Sequence, residues 1–289
     1  MRPDPASTSG APLMPAEPAG PLRPTLLVGG TAFRFGDGVG TAMERAVATE
    51  MPVQMLFADI PFGIMMATPA DLEDFAYGFS LTEGVIGAPS EIRGVSVEPE
   101  DGAVRLRIDI VGARLQAHLA RKRAMTGRTS CGLCGIDDLS ALPRASSPSG
   151  SAPRVALGAI ARALASLDDL QLLNAATRAV HGAAWAGFDG EIRMVREDVG
   201  RHNALDKLIG ACLRTGMHPG DGFVLVTSRA SFEMVEKTAT FGARTLVAIS
   251  APTALAIARA RDLDVTLACI ARRDGMTVFH GAERITTGP

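Results

Sequence analysis

From residue 223 to residue 279 short apolar runs alternate with helical ones, and no other stretch limits the possible folds so sharply. Residues 223–227 carry a buried-strand pattern, and residues 232–241 a helix stopped by Gly242. The strand pattern repeats over 245–249, the helix over 254–261 and the strand over 265–271. Arg272-Arg273-Asp274-Gly275 then turns the chain into a return strand over 276–279. Strands separated by helices predict a parallel sheet in an α/β fold. Ligands of such sheets bind beyond the carboxyl ends of the strands. Ser228, Arg229, Ser231, Ser250, Thr253, Arg272 and Arg273 all fall at those ends. Hydroxyls, guanidinium groups and helix N-termini together suit a phosphate or pyrophosphate. No glycine-rich nucleotide fingerprint accompanies them, so no standard loop names the ligand.

Upstream, residues 155–173 read as one helix, with Leu157, Ile160, Leu164, Leu167 and Leu170 three or four apart. His181 to Trp185 opens a strand, Asp189-Gly190 turns a hairpin, and 192–195 returns. Next comes the densest polar run of the chain, Arg196-Glu197-Asp198-Val199-Gly200-Arg201-His202-Asn203-Ala204-Leu205-Asp206-Lys207. It leads into a helix whose buried face is Leu205, Leu208, Ile209, Cys212 and Leu213 and whose end is Gly216. Backbone N–H groups at a helix start attract anions. The run therefore reads either as a solvated helix start or as a substrate-contacting patch that includes His202. Cys212 and Cys269 both fall on buried faces and read as core.

The first folded part begins near Thr25. Strands are expected over 31–39, 52–57 and 64–67, with a turn over 58–63. Thr68 is expected to cap a helix that has Pro69 in its first position and acidic residues behind it. Leu72, Phe75, Ala76 and Phe79 mark its buried face. Residues 92–97 and 104–110 alternate around Pro99-Glu100-Asp101-Gly102 and predict a β-hairpin. Residues 115–124 read as a basic helix, with His118 a surface residue.

That helix leads to Thr129-Ser130-Cys131-Gly132-Leu133-Cys134-Gly135, two cysteines in C-x-x-C spacing below a run of basic residues. Nearby positive charge lowers a thiol pKa, and the thiolate is the reactive form. The spacing fits half of a zinc site, a dithiol–disulfide pair, or a persulfide-bearing site in which one cysteine assists the other. A plain structural loop fits too. Zinc would need two more ligands, and neither Cys212 nor Cys269 sits in a second such motif. A zinc deaminase would need H-x-E upstream of its C-x-x-C, whereas here His181-Gly182-Ala183 lacks the glutamate and lies downstream.

Composition narrows the class. A net charge of −2 and 4% aromatic residues argue against a nucleic-acid binder. Four cysteines in 289 residues are too few for a disulfide scaffold. No apolar run is long enough to cross a membrane, and residues 1–24 lack the charged start and apolar stretch of a signal peptide. A soluble cytoplasmic protein is expected. Residues 1–24 read as a disordered tail and 25–142 as a smaller α+β subdomain ending in the cysteine loop. Residues 143–153, rich in Pro, Ser and Gly, read as a linker, and 154–289 as the α/β ligand-binding domain.

Several of these segments together resemble the formate dehydrogenase accessory sulfurtransferase (FdhD) family. They are Ser130-Cys131-Gly132-Leu133-Cys134-Gly135, the polar run 196–207 and Ser250-Ala251-Pro252-Thr253. Ala67-Thr68-Pro69-Ala70-Asp71-Leu72, Gly78-Phe79 and Thr82-Glu83-Gly84 join them. The resemblance covers roughly residues 48–285. It implies a sulfur carrier that takes sulfur as a persulfide from a cysteine desulfurase. The carrier passes it to the molybdenum cofactor, bis-molybdopterin guanine dinucleotide, for formate dehydrogenase; the cofactor is a bound substrate. Cys131 matches the family's persulfide cysteine and Cys134 its partner. Ile270, Ala271, Arg272, Arg273, Asp274 and Gly275 match its cofactor-contacting segment. A guanine dinucleotide contains a pyrophosphate, which suits Ser228, Arg229, Ser250, Thr253 and His202. The implied fold has a cytidine deaminase-like core and forms a homodimer. A cofactor-binding chaperone with dispensable cysteines is the non-enzymatic alternative. The chain departs from the family at Arg178, where a glycine usually follows the threonine.

Overall fold

A computed structural model of the chain describes residues 22–36, 38–115, 145–148 and 150–287. The chain opens with an antiparallel hairpin of strands β1 (Thr25–Phe33) and β2 (Gly40–Ala48). The expected strand over 31–39 is thus mostly the connection between two others. Gly36 and Gly38, both at positive φ, bend the chain there. A four-stranded sheet follows in the order β4-β3-β6-β5, built from β3 (Met51–Phe57), β4 (Ile60–Ala67), β5 (Ile92–Glu100) and β6 (Ala103–Ile110). The β5–β6 hairpin is the one expected from alternation.

Helix α1 (Leu72–Thr82) lies between β4 and β5 in sequence. It starts three residues later than expected, because Thr68 is not its cap. The Thr68 N–H donates to Asp198 Oδ2 (2.9 Å), and its hydroxyl accepts the Val199 N–H (3.1 Å). Asp71 instead precedes the helix, in the left-handed region.

The second half begins with β7 (Val155–Ala156), paired to β14 (Ile285–Thr286) near the end of the chain. The single helix expected over 155–173 is two, α2 (Leu157–Leu170) and α3 (Leu172–Thr177). The break at Gln171 has a specific partner: both carboxylate oxygens of Glu197 accept the first N–H groups of α3, from Leu173 and Asn174 (2.8 Å each). Arg178 ends α3 at φ 57°, a conformation that favours glycine.

Next come β8 (His181–Gly187), β9 (Ile192–Asp198), α4 (Arg201–Thr215), β10 (Gly222–Val226) and α5 (Phe232–Phe241). They are followed by β11 (Thr245–Ala248), α6 (Ala254–Asp262), β12 (Thr266–Arg272) and β13 (Gly275–His280). The sheet order is β13-β12-β11-β10-β8-β9. In this sheet only the β10–β11 and β11–β12 pairings are parallel; β8 and β13 flank them antiparallel, so the sheet is mixed rather than wholly parallel.

Alternation along these strands gives the sheet two buried faces. Phe223, Leu225, Val247 and Ala268 meet α2, whereas Val224, Val226, Leu246 and Leu267 share a larger core with α4, α5 and α6. That core continues through α1 into the four-stranded sheet, at Val53, Met55, Phe57, Leu106 and Ile108. Helix α1 and helix α4 touch backbone to backbone. A Cβ on Gly78 would lie 1.8 Å from the Asp206 carbonyl oxygen, and one on Gly210 would lie 1.8 Å from that of Asp74.

Residues 145–148 and Gly150 are tied to α5, α6 and the residue before β11. The Ala145 N–H donates to Glu236, Arg259 donates to the Ala145 carbonyl, and Arg244 donates to the carbonyls of Pro148 and Gly150. Among the described residues no helix is long and apolar enough to cross a membrane.

Candidate functional site

The carboxyl ends of β10, β11 and β12 share one edge with the start of β8, the end of β9 and the N-termini of α4, α5 and α6. The register fixes this: Val226 pairs with Ala183, the Thr227 N–H donates to Gly182 O (3.0 Å), and His181 pairs with Asp198. These bonds bring the polar run and the 228–231 loop together, and the Thr253 N–H, donating to Ala230 O (3.0 Å), adds the 250–253 loop.

The polar run divides here. Most of it serves the fold. Arg196 pairs with Asp74 (2.7 Å), and Glu197 caps α3. Asp198 and Lys207 are wholly buried and 2.6 Å apart. Asp198 also accepts from Gly200 N–H and the Asn203 amide, and Lys207 donates to Thr68 O. Asp206 accepts from Thr82 and Lys237. Buried carboxylates and ammonium groups persist only when paired in this way. Arg201 and His202 remain at the edge, half-buried.

His202 Nε2 stands 3.8 Å from Glu233 Oε2, an ion-pair distance and longer than a hydrogen bond. The imidazole of His202 and, against the cost of burial, the Ser231 hydroxyl pull the Glu233 carboxyl down to about 2. One helical turn deeper, Asp206 and Lys237 form the next pair between α4 and α5. His181 is held below its ordinary value, first by burial and then by Arg201; Asp198 opposes this, and His202 and Arg229 add to it. Arg201, His181 and Glu233 were not singled out from the sequence as ligand residues. Arg201 belongs to the polar run read as a possible substrate-contacting patch; for His181 and Glu233 the only signal there is position, since each lies at an end of a strand or helix.

The other expected ligand residues take distinct places. Ser228 is buried, and its hydroxyl donates to Arg229 O. Arg229 is exposed. Thr253 spends its hydroxyl oxygen as the N-cap of α6, accepting the Ala256 N–H (3.2 Å). The Ser250 carbonyl accepts the Ile270 N–H (3.1 Å). Ile270 interrupts β12 at φ 54°, a strained conformation for a β-branched residue, with its side chain 40% exposed at the edge. Ala271 is buried, and Arg272, Arg273, Asp274 and Gly275 form the exposed tip of the β12–β13 hairpin.

Cys131 and Cys134 lie outside the described residues. Cys212 and Cys269 are buried core thiols, both pushed up to about 12 by burial, and neither is a nucleophile near neutral pH. Among the described residues no group of three His, Cys, Asp or Glu side chains could hold a metal ion. A cleft of about 390 Å³ lies elsewhere, lined by Leu22, Pro69, Val97 and the Asp74, Arg196 and Arg214 cluster. The charges of that cluster satisfy one another, so the sheet edge and not the cleft offers free cationic groups.

Residues 48–286 match the model of the FdhD/NarQ family. The chain is 44% identical over 275 residues to a protein of Xanthomonas campestris pathovar campestris named sulfur carrier protein FdhD, covering 95% of this chain and 98% of the relative. Proteins of the same name from Bordetella petrii and Variovorax paradoxus are 43% and 45% identical, over 87% and 84% of this chain and 90% and 87% of theirs. A proposed formate dehydrogenase accessory protein from Desulfotalea psychrophila, solved by crystallography, superposes with a TM-score of 0.70 at 25% identity, over 92% of this chain and all of that one.

Proposed function

We propose, because this chain belongs to the FdhD/NarQ family, that it is a cytoplasmic sulfur carrier serving formate dehydrogenase. The observation that carries this reading is similarity to named sulfur carriers at 44% identity across 95% of the chain, a span that includes the C-x-x-C segment. The buried state of Cys212 and Cys269 supports it, since Cys131 and Cys134 are the other two cysteines of the sequence.

In this reading the Cys131 thiolate attacks the outer sulfur of a cysteine desulfurase persulfide. The desulfurase cysteine leaves as a thiolate, and Cys131 keeps the sulfur as a persulfide. Cys134 assists. The sulfur then passes to the molybdenum cofactor, bis-molybdopterin guanine dinucleotide, as the bound substrate. Arg229, His202, Ser228, Ser250, Thr253 and the 270–275 segment hold the dinucleotide at the sheet edge. Cationic side chains and helix N-termini at that edge suit a pyrophosphate. Binding cofactor and persulfide on one protein makes delivery effectively intramolecular. The finer expectations, a cytidine deaminase-like core and a homodimer, belong to the same proposal. Three parallel strands joined by helices on one face support the first.

The test is the intact mass of the purified chain after incubation with a cysteine desulfurase and cysteine, beside Cys131→Ala. A gain of one sulfur, about 32 Da, in the wild type alone supports a persulfide on Cys131. No gain in either protein rejects sulfur transfer and leaves a cofactor-binding chaperone. A gain in both moves the acceptor to another cysteine.

A further inference from the structure

Four titratable or cationic side chains meet at the sheet edge from three places in the chain: His181 at the head of β8, Arg201 and His202 in the first turn of α4, and Arg229 in the loop after β10. Two carboxylates face them, and both are committed. Asp198, at the end of β9, is bound to Lys207 and to the N–H groups around it. Glu233, in the first turn of α5, is held by Ser231 and His202. Among the described residues neither Arg201 nor Arg229 has a carboxylate within 4.0 Å. Arg201 Nε is shielded from solvent and has no hydrogen-bond partner. A buried donor without an acceptor is costly and rare in a folded protein. Cations that share a half-buried site also repel one another. A polyanion seated here would relieve both penalties at once.

We infer that His181 and Arg201 complete, with His202 and Arg229, a cradle for the phosphates of a pyrophosphate diester, and that the ligand enters together with a proton taken up by His181. The ligand class rests on the function proposed above; the cradle rests on the geometry of the edge. The same neighbours explain the proton. Burial and then Arg201 disfavour the charged form of the His181 imidazole, Asp198 opposes them, and His202 and Arg229 add to the effect. A bound anion neutralises those cations, so the ring gains affinity for a proton. By reciprocity a proton on His181 strengthens anion binding, and affinity rises as pH falls toward 6.5 and below.

Calorimetry of the full chain with P1,P2-di(guanosine-5′) pyrophosphate tests this, because the phosphates of that probe carry no titrating proton near neutral pH. Titrations run in two buffers of different ionisation enthalpy read the proton directly. The wild type should bind with a buffer-dependent heat that reports proton uptake. His181→Gln should still bind but lose the buffer dependence. Arg201→Met should weaken binding roughly ten- to hundredfold, the loss expected for a charge-assisted hydrogen bond. Arg201→Lys, which keeps the charge, should recover part of it, and melting curves would identify any variant that fails to fold. Buffer-independent heat in the wild type, or unchanged affinity in Arg201→Met, overturns the cradle, as does absence of binding. A chain that gains sulfur on Cys131 yet ignores the dinucleotide loses the cradle alone. One that binds the dinucleotide with proton uptake but gains no sulfur loses the carrier reading alone.

Discussion

Lys207 Nζ lies 2.6 Å from Asp198 Oδ2 with both side chains fully buried, directly beneath the helix start that carries Arg201 and His202. Lys207 also donates to Thr68 O, and Thr68 N–H donates to the same Asp198 oxygen, so the pair joins α4 to the end of β4. Lys207→Met leaves Asp198 as an unpaired buried carboxylate and should destabilise the chain by roughly 3–5 kcal/mol. Adding Asp198→Asn should return part of that loss. Urea denaturation of both variants measures it, and a Lys207→Met cost below about 1 kcal/mol would mean that the pair contributes little.

Glu233 predicts a pH signature. Its carboxyl is held at about 2 in the folded chain against an ordinary value of 4.5. A depressed carboxylate stabilises the fold above its unfolded value and loses that contribution as pH falls through the folded one. The wild type should therefore be more stable than Glu233→Gln above pH 4.5, and the gap should close between 4.5 and about 2. Thermal melts of both proteins across that range provide the check. A gap of constant size would show that Glu233 acts by packing rather than by charge.

The His181 ring should titrate below 6.5 in the free protein, because burial and then Arg201 disfavour its charged form. As a lowered histidine, it contributes stability that is complete above 6.5 and fades as pH drops through its folded value. Imidazole resonances followed by NMR give the midpoint. Arg201→Met should move it upward; a midpoint that stays put would place Arg201 too far away to act.

Much of this fold was legible in the chain, and for a physical reason. From residue 223 onward the strand period and the helical period alternate cleanly, and α5 ends on Gly242 at positive φ. The weak alternation of β2 hid the first hairpin. The break at Gln171 was invisible because its cause, the Glu197 carboxylate, lies outside the helix it interrupts. The site was legible in outline only. Ser228, Arg229, Ser250 and Thr253 follow strands, so their shared edge could be anticipated. Sequence shows that the run 196–207 is polar, but not which members are buried. Asp198 and Lys207 became structural because Thr68, far upstream, arrives to pair with them. Arg201 and His181 became neighbours only through the β8–β9 register.

Arg178 carries a stability prediction. It closes α3 at φ 57°, where an L side chain is strained and glycine is not, and its side chain is exposed. Left-handed backbone costs a non-glycine residue roughly 1–2 kcal/mol, partly offset by the greater freedom of glycine in the unfolded chain. Arg178→Gly should thus stabilise by about 0.5–1 kcal/mol. Arg178→Ala keeps the strain and should give no such gain, which separates backbone conformation from loss of the charge. A fall in melting temperature for the glycine variant would contradict the assignment.

The contact between Gly78 and Gly210 decides whether the two sheets can share one core. Helices α1 and α4 approach so closely that a Cβ on either glycine would meet carbonyl oxygen at 1.8 Å, a separation no rotamer can relieve. The obstacle is backbone on both sides, so α1 itself would have to move. That movement would strain the Thr82–Asp206 bond (2.7 Å) and the Arg196–Asp74 and Arg214–Asp74 pairs, which tie the same helix to α4 and β9. Overpacking a core costs typically 1–3 kcal/mol. Gly78→Ala and Gly210→Ala should each lie at or above the upper end of that range, since backbone yields less than side chain. Each glycine faces the same crossing, so the double variant should cost less than the sum of the two: once α1 has moved for one methyl, room for the second is partly made. Denaturation midpoints of the three proteins test this, and full additivity would mean that the helices do not move as one body.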